Sequence, residues 1–126
     1  MVQVAPGWQW DVDRESDWLL VKLKPADQDP ATTAMLAEAL WELLRQHVTY
    51  RLVLELDQLV VVYTALIGQL VLLHKRLSVN GGALRLCGLS PHNREELHLC
   101  RLDDRFPSYR TREDAVLGHQ PPCQPR

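Results

Sequence analysis

The alternation of apolar and polar residues near the start of the chain predicts a β-hairpin. Residues 8–13 and 18–23 are its two strands, and the polar residues 14–17 between them are its turn. Two later runs, 52–56 and 83–87, are short and mostly apolar. Because the run 52–56 carries a single charge, we expect it to be a central strand that is covered on both faces.

A first helix is predicted between the hairpin and residue 52. Asp29 can act as its N-cap and Pro30 as its first residue, where the missing N–H of proline costs nothing. The helix should run to about His47. The leucines that recur on one of its faces, and that we expect to be buried, are Leu36, Leu40, Leu43 and Leu44.

Two more helices alternate with the later strands. The second should span residues 64–79 and end at the pair Gly81-Gly82, because glycine readily adopts the left-handed conformation that closes a helix. The third should begin with Ser90 as its cap and Pro91 in its first turn, and should run to about Cys100.

The last part of the chain predicts a short extended piece at residues 106–109 and a final helical turn over residues 111–114, which opens with Thr111 and Asp114 in a capping-box-like arrangement. The whole pattern indicates an α/β fold with a mixed sheet, an N-terminal hairpin and about four helices mostly on one face. We expect one domain over residues 8–117, followed by a disordered tail at residues 118–126, which contain three prolines.

Composition excludes several classes of function. The 126 residues are 46% hydrophobic, which suits one domain with a real core. The formal net charge is −2, so the chain lacks the positive field that a non-specific nucleic-acid binder uses. Residues 59–73 are largely apolar, but they are too few to cross a bilayer, which takes about 20 residues. We therefore expect neither nucleic-acid binding nor direct membrane insertion.

Candidate chemistry is sparse. The three cysteines are odd in number and form no CxxC pair, and the first residues lack the pattern of a signal peptide, so a cytoplasmic location is expected. The five histidines show no metal-ligand spacing. Neither a catalytic Cys/His or Ser/His/Asp set nor a glycine-rich phosphate loop is recognisable. We expect no metal, no cofactor and no enzymatic activity.

Thr64 is a candidate functional residue, because its hydroxyl lies at the predicted start of the second helix. The first N–H groups of a helix lack internal partners and lie at the positive end of its dipole, so a phosphate is well accommodated there. Thr64 is therefore either a phosphate acceptor or an ordinary N-cap, whose hydroxyl contributes about 1 kcal/mol.

Residues 52–117 resemble the STAS domain, the fold of bacterial anti-sigma factor antagonists. The strand 52–56 corresponds to the central strand of the family, and residues 63–66 correspond to its Asp-Ser-Ser-Gly segment. Gly68 matches the glycine that follows. The other landmarks that occur in the order of the family are Leu70, Lys75, Arg76, Leu77, Gly81, Gly82, Leu84, Arg85, Leu86, Gly88, Leu89, Ser90, Arg94, Glu95, Leu99, Leu102, Phe106 and Ala115.

The resemblance implies a regulatory module that captures an anti-sigma factor or a serine/threonine protein kinase of the histidine-kinase-like ATPase fold. In the family, phosphorylation of the first hydroxyl of Asp-Ser-Ser-Gly controls capture, and that position is Thr64 here. The implied partner-binding residues are Tyr63, Thr64, Ala65, Leu66 and Gln69. Tyr63 stands where the family has an acid, Ala65 where it has a small hydroxyl residue, and Leu66 where it has a glycine.

These departures leave an alternative open. The chain can instead be a degenerate STAS subunit that stays permanently docked in a transporter or signalling assembly, without phosphorylation. The sequence indicates neither the oligomeric state nor the identity of the partner.

Overall fold

The computed structural model describes residues 2–5, 8–25, 34–59, 64–102 and 106–118. Six strands and four helices lie within these ranges. The strands are β1 (Val2–Ala5), β2 (Trp8–Glu15), β3 (Trp18–Pro25), β4 (Arg51–Glu55), β5 (Ala83–Cys87) and β6 (Ser108–Tyr109). The helices are α1 (Leu36–Gln46), α2 (Thr64–Val79), α3 (Pro91–Leu99) and α4 (Arg112–Leu117).

The six strands form one mixed sheet in the order β1-β2-β3-β4-β5-β6. The pairs β1–β2 and β2–β3 are antiparallel, and the pairs β3–β4, β4–β5 and β5–β6 are parallel. The register places Val53 of β4 between Leu20 of β3 and Arg85 of β5. The predicted mixed sheet with an N-terminal hairpin is confirmed, and β1 adds a strand ahead of residue 8, the predicted start of the domain.

The main core lies between one face of the sheet and the helices α1 and α2. Successive side chains of a strand point to opposite faces, so Leu52 and Leu54 of β4 face this core while Val53 between them faces away. The fully buried leucines that the two helices and α3 contribute to it are Leu36, Leu40, Leu43, Leu44, Leu66, Leu70, Leu73, Leu77 and Leu97.

A second, smaller core lies on the opposite face of the sheet, where α4 packs. Ala115 of α4 is fully buried there against a set of sheet residues, which are Trp18, Leu20, Val53, Cys87 and Tyr109. Among the described helices, α1, α2 and part of α3 thus cover one face and α4 covers the other. The expectation that the helices lie mostly on one face is confirmed.

Two predicted helix caps have the expected hydrogen bonds. The Ser90 hydroxyl accepts from the backbone N–H of Asn93 at 3.1 Å, and the Thr111 hydroxyl accepts from the N–H of Asp114 at 3.2 Å. The predicted cap Asp29 and first residue Pro30 lie outside the described residues, as do residues 60–63 and most of the predicted tail, residues 119–126.

The turns that follow α1 and α2 pack against each other at the edge of the sheet where β4 and β5 begin. A Cβ added to Gly82, after α2, would lie 1.9 Å from the carbonyl oxygen of Tyr50, after α1. Gly81 has a φ of 76°, the left-handed conformation that was expected to close α2. After α1, the left-handed position falls on a β-branched residue, Val48, which has a φ of 53°.

Candidate partner-binding site

The topology places the first residue of α2 at one particular edge of the sheet. Because α2 connects the parallel strands β4 and β5, its N-terminus lies at the edge where these strands end. The helix begins at Thr64, as the sequence predicts. Tyr63, the preceding candidate, lies outside the described residues.

The other three candidates of this corner point in different directions. Ala65 is exposed to solvent. Leu66 is 1% exposed and belongs to the main core, so its side chain supports the helix and does not form part of the surface. Gln69 is half-buried, and its Oε1 accepts from the backbone N–H of Ala37 at 2.9 Å. Gln69 therefore ties α2 to the first turn of α1.

Five exposed residues of α2 form a stripe with heptad spacing, beside which Arg76 and Ser78 are exposed as well. Its members are separated by three, four, three and four positions, which places them on one face of a helix. All five are exposed, and Leu72 is 56% exposed although it is a large apolar residue. We call this set the α2 stripe; it consists of Ala65, Gly68, Leu72, Lys75 and Val79.

Glycine at position 68 is not required by the packing of the chain. A Cβ added there would have no neighbouring heavy atom within 4 Å. Glycine inside a helix is less stable than alanine by about 0.5–1 kcal/mol. The fold thus carries a destabilising residue in the middle of the α2 stripe, at a place where alanine would fit.

The charge of α2 is entirely positive, because the helix contains Lys75 and Arg76 and lacks any Asp or Glu. The Arg76 guanidinium is already engaged: it pairs with Glu38 at 2.9 Å and stacks over the ring of Trp41 at 4.3 Å. Lys75 makes no ion pair with any described residue. The α2 stripe is therefore an apolar surface with one available cation.

Acidic residues at the end of β4 are held by basic partners. The Oε1 atom of Glu55 accepts from Nη2 of Arg112 at 2.7 Å. This hydrogen bond is the main reason that the pKa of Arg112 is raised. Asp57 pairs with Lys22 at 3.4 Å. These carboxylates thus anchor α4 and β3 at the edge where α2 begins.

The described residues offer little for metal binding or nucleophilic chemistry. They contain no group of three or more His, Cys, Asp or Glu side chains that could hold a metal ion. Burial raises the pKa of the Cys87 thiol to about 12, so this thiol is neutral at physiological pH. No helix in the described ranges is long and apolar enough to cross a membrane.

The comparison with protein families agrees with this geometry. The STAS domain model matches residues 14–115, which is most of the chain. The chain belongs to the STAS domain family. No curated protein matches its sequence.

Solved structures share the STAS fold with this chain at low sequence identity. An anti-sigma factor antagonist from Mycobacterium paratuberculosis is 22% identical, with a TM-score of 0.73 over 92% of this chain and 97% of that one. A putative anti-sigma factor antagonist from Thermotoga maritima is 18% identical, with a TM-score of 0.73 over 86% and 92%. The phosphorylated form of the Bacillus cell fate determinant SpoIIAA is 14% identical, with a TM-score of 0.64 over 86% and 97%.

The structure also identifies surface residues that the sequence alone did not single out for binding. Leu72 and Lys75 join Ala65 on the α2 stripe together with Gly68, and of these Gly68 and Lys75 had been matched only as landmarks of the family. The spacing of these positions was visible in the sequence. Because α2 is apolar on nearly all sides, however, that spacing did not tell which leucines face the core.

Proposed function

We propose that this STAS protein is an anti-sigma factor antagonist, a non-enzymatic regulator that captures an anti-sigma factor or kinase on the α2 stripe. The single observation that supports this most strongly is the exposed stripe itself, which begins one residue after Thr64. A soluble helix normally turns polar residues outward, yet α2 turns Ala65, Gly68 and Leu72 to solvent. A partner that covers this stripe explains the pattern.

Phosphorylation of Thr64 is the proposed control of capture. Thr64 is the first residue of α2, and the first turn of the helix carries no acidic side chain that would repel a phosphate. A phosphate adds about −1.5 to −2 charges at neutral pH. Such a charge at the start of the apolar α2 stripe disfavours the binding of a partner that buries Leu72. The phosphate itself leaves the fold unchanged.

Two of the three residues that depart from the family pattern, Ala65 and Leu66, are compatible with this proposal. Leu66 replaces the glycine of the family, but its side chain is buried in the main core and does not project from the surface of α2. Ala65 is small and exposed. Partner contacts are therefore assigned to Thr64, Ala65 and the rest of the α2 stripe, while Leu66 and Gln69 position the helix.

The test is the mass of the protein isolated from its own cells, together with the identity of the proteins that co-purify with it. We expect a phosphate that is present in the wild type and in Thr111→Ala and is absent in Thr64→Ala. Thr111 is the matched control because its hydroxyl also lies at the start of a helix, as the N-cap of α4 on the other face of the sheet.

The same experiment distinguishes the alternative function, a permanently docked STAS subunit. Capture by a switch predicts a partner that is retained by Thr64→Ala and lost by Thr64→Glu. A partner that is present in constant stoichiometry with both variants, without phosphate on the wild type, would reject the switch in favour of the permanent subunit.

A further inference from the structure

Helix α4 is attached to the sheet mainly by polar contacts at its two ends. At its start, Arg112 donates from Nη2 and Nε to Oε1 of Glu55 at 2.7 and 3.2 Å, and from Nη1 to Asp13 at 3.3 Å. At its end, Nη1 of Arg85 donates to the carbonyl oxygen of Ala115 at 2.7 Å. A sheet carboxylate thus holds the first residue of the helix, and a sheet guanidinium holds its last turn.

The position of Arg112 indicates that it serves this attachment and not the helix itself. A positive side chain in the first turn opposes the helix dipole, so it destabilises an isolated helix. Its pairing with Glu55 compensates for that cost. At the other end, Arg85 also lies over the rings of Trp18 at 4.4 Å and Tyr109 at 5.8 Å, which fixes its guanidinium against the sheet.

The apolar part of the attachment is small. Ala115 is the fully buried residue of α4, Val116 is partly buried, and Leu117 is exposed. A helix of six residues is also far too short to be stable on its own, since isolated helices need about 12–15 residues. The helix therefore depends on the two polar attachments, and it has little apolar area to hold it when one of them is broken.

What α4 covers is apolar. Val53, Cys87 and Tyr109 are buried in the second core beneath it. We propose that α4 is a latch: it detaches from the sheet as a unit while the rest of the domain stays folded, and its detachment uncovers Val53, Cys87 and Tyr109. Local opening of this kind is expected where few buried apolar contacts hold an element. This inference concerns the face opposite α1 and α2 and does not depend on the proposed function.

Cys87 provides a direct measure of the opening. In a Cys100→Ser, Cys123→Ser background, Cys87 is the remaining thiol, and its reaction with Ellman's reagent requires that α4 leave. We expect Arg112→Gln to raise the labelling rate about tenfold, because it removes hydrogen bonds between charged groups that are only partly exposed to solvent. The rate should depend on urea much less steeply than global unfolding does, because local opening exposes little surface.

Arg76→Gln is the matched control, since it removes an ion pair of similar length between α1 and α2, on the other face of the sheet. It should leave the labelling rate of Cys87 unchanged. The proposed latch is contradicted if Cys87 of Arg112→Gln is labelled no faster than Cys87 of this control. It is also contradicted if the labelling rate has the urea dependence of global unfolding. Should Arg112→Gln fail to fold, the Cys100→Ser, Cys123→Ser protein with Arg112 intact decides: labelling of its Cys87 must depend on urea less steeply than global unfolding does, and an equal dependence overturns the latch.

Discussion

Leu66 and Gly68 lie two residues apart on α2 and have opposite surroundings. Leu66 is enclosed in the main core, whereas a Cβ added to Gly68 would have no neighbour within 4 Å. Residues two positions apart on a helix point to nearly opposite sides. The helix thus separates two roles: the side of Leu66 holds the fold together, and the side of Gly68 remains available to a partner.

Two leucines of α2 should therefore respond differently to truncation. Leu66→Ala should lower the free energy of unfolding by about 2–5 kcal/mol, because it leaves a cavity in a packed core. Leu72→Ala should change it by less than about 0.5 kcal/mol, because Leu72 is exposed on the surface. Urea unfolding of both variants measures this. Equal losses of stability would contradict the orientation of α2, in which Leu66 faces the core and Leu72 faces solvent.

The two glycines that follow α2 should also differ. Gly82→Ala places a Cβ against the backbone of Tyr50, which cannot move aside cheaply, so we expect a loss of several kcal/mol or a failure to fold. Gly81→Ala meets no neighbour, and its cost of about 1 kcal/mol comes from the left-handed backbone alone. Thermal unfolding of the pair tests the close approach, which would be contradicted by similar melting temperatures.

Val48 is a site where stability can be gained. It has a φ of 53°, a left-handed conformation that is unfavourable for a β-branched residue. Because its side chain is 86% exposed, no buried contact offsets this cost. Val48→Gly should raise the free energy of unfolding by about 1 kcal/mol. Val79→Gly serves as a control, because Val79 is equally exposed but ends a right-handed helix. That substitution should destabilise the protein, and a gain for both would refute the argument from backbone strain.

The buried thiol of Cys87 should make the protein less stable in alkali. Its pKa is about 12 in the folded state against 9.0 ordinarily, so the folded state keeps its proton when the unfolded state has lost it. Stability is therefore full below pH 9 and falls between pH 9 and 12, by about 1.4 kcal/mol per pH unit. Cys87→Ala should remove this part of the pH dependence. Unfolding of the wild type and of Cys87→Ala at pH 8 and pH 10 measures how much stability each loses. Equal losses in the two proteins would contradict the role of Cys87.

Much of the fold could be predicted from the sequence because its signals are local. The hairpin follows from alternation, the caps Ser90 and Thr111 from residue type, and the end of α2 from the pair Gly81-Gly82. The strand β1 was missed, since a run of only four residues carries too little pattern to be distinguished from a loop.

Two features could not be predicted from the sequence: which side of α2 faces solvent, and the contact that attaches α4 to the sheet. Leu72 and Leu73 are neighbours of the same type, yet Leu72 is exposed and Leu73 is buried; in a helix that is apolar on nearly all sides, hydrophobicity does not set the rotation. The Arg112 attachment joins residues that are 57 positions apart, and no spacing rule connects them. Such contacts become visible only when the sheet brings β4 and α4 together.

The most direct test of the account is partner capture by Gly68→Ala, measured by co-purification from the native cells and compared with its free energy of unfolding. Alanine has room at position 68 and favours a helix, so the variant should be more stable than the wild type by about 0.5–1 kcal/mol. If the α2 stripe is the capture surface, the added methyl group holds the partner away, and the more stable protein should retain less of it. A variant that is stabilised and retains its partner as fully as the wild type would contradict capture on the α2 stripe.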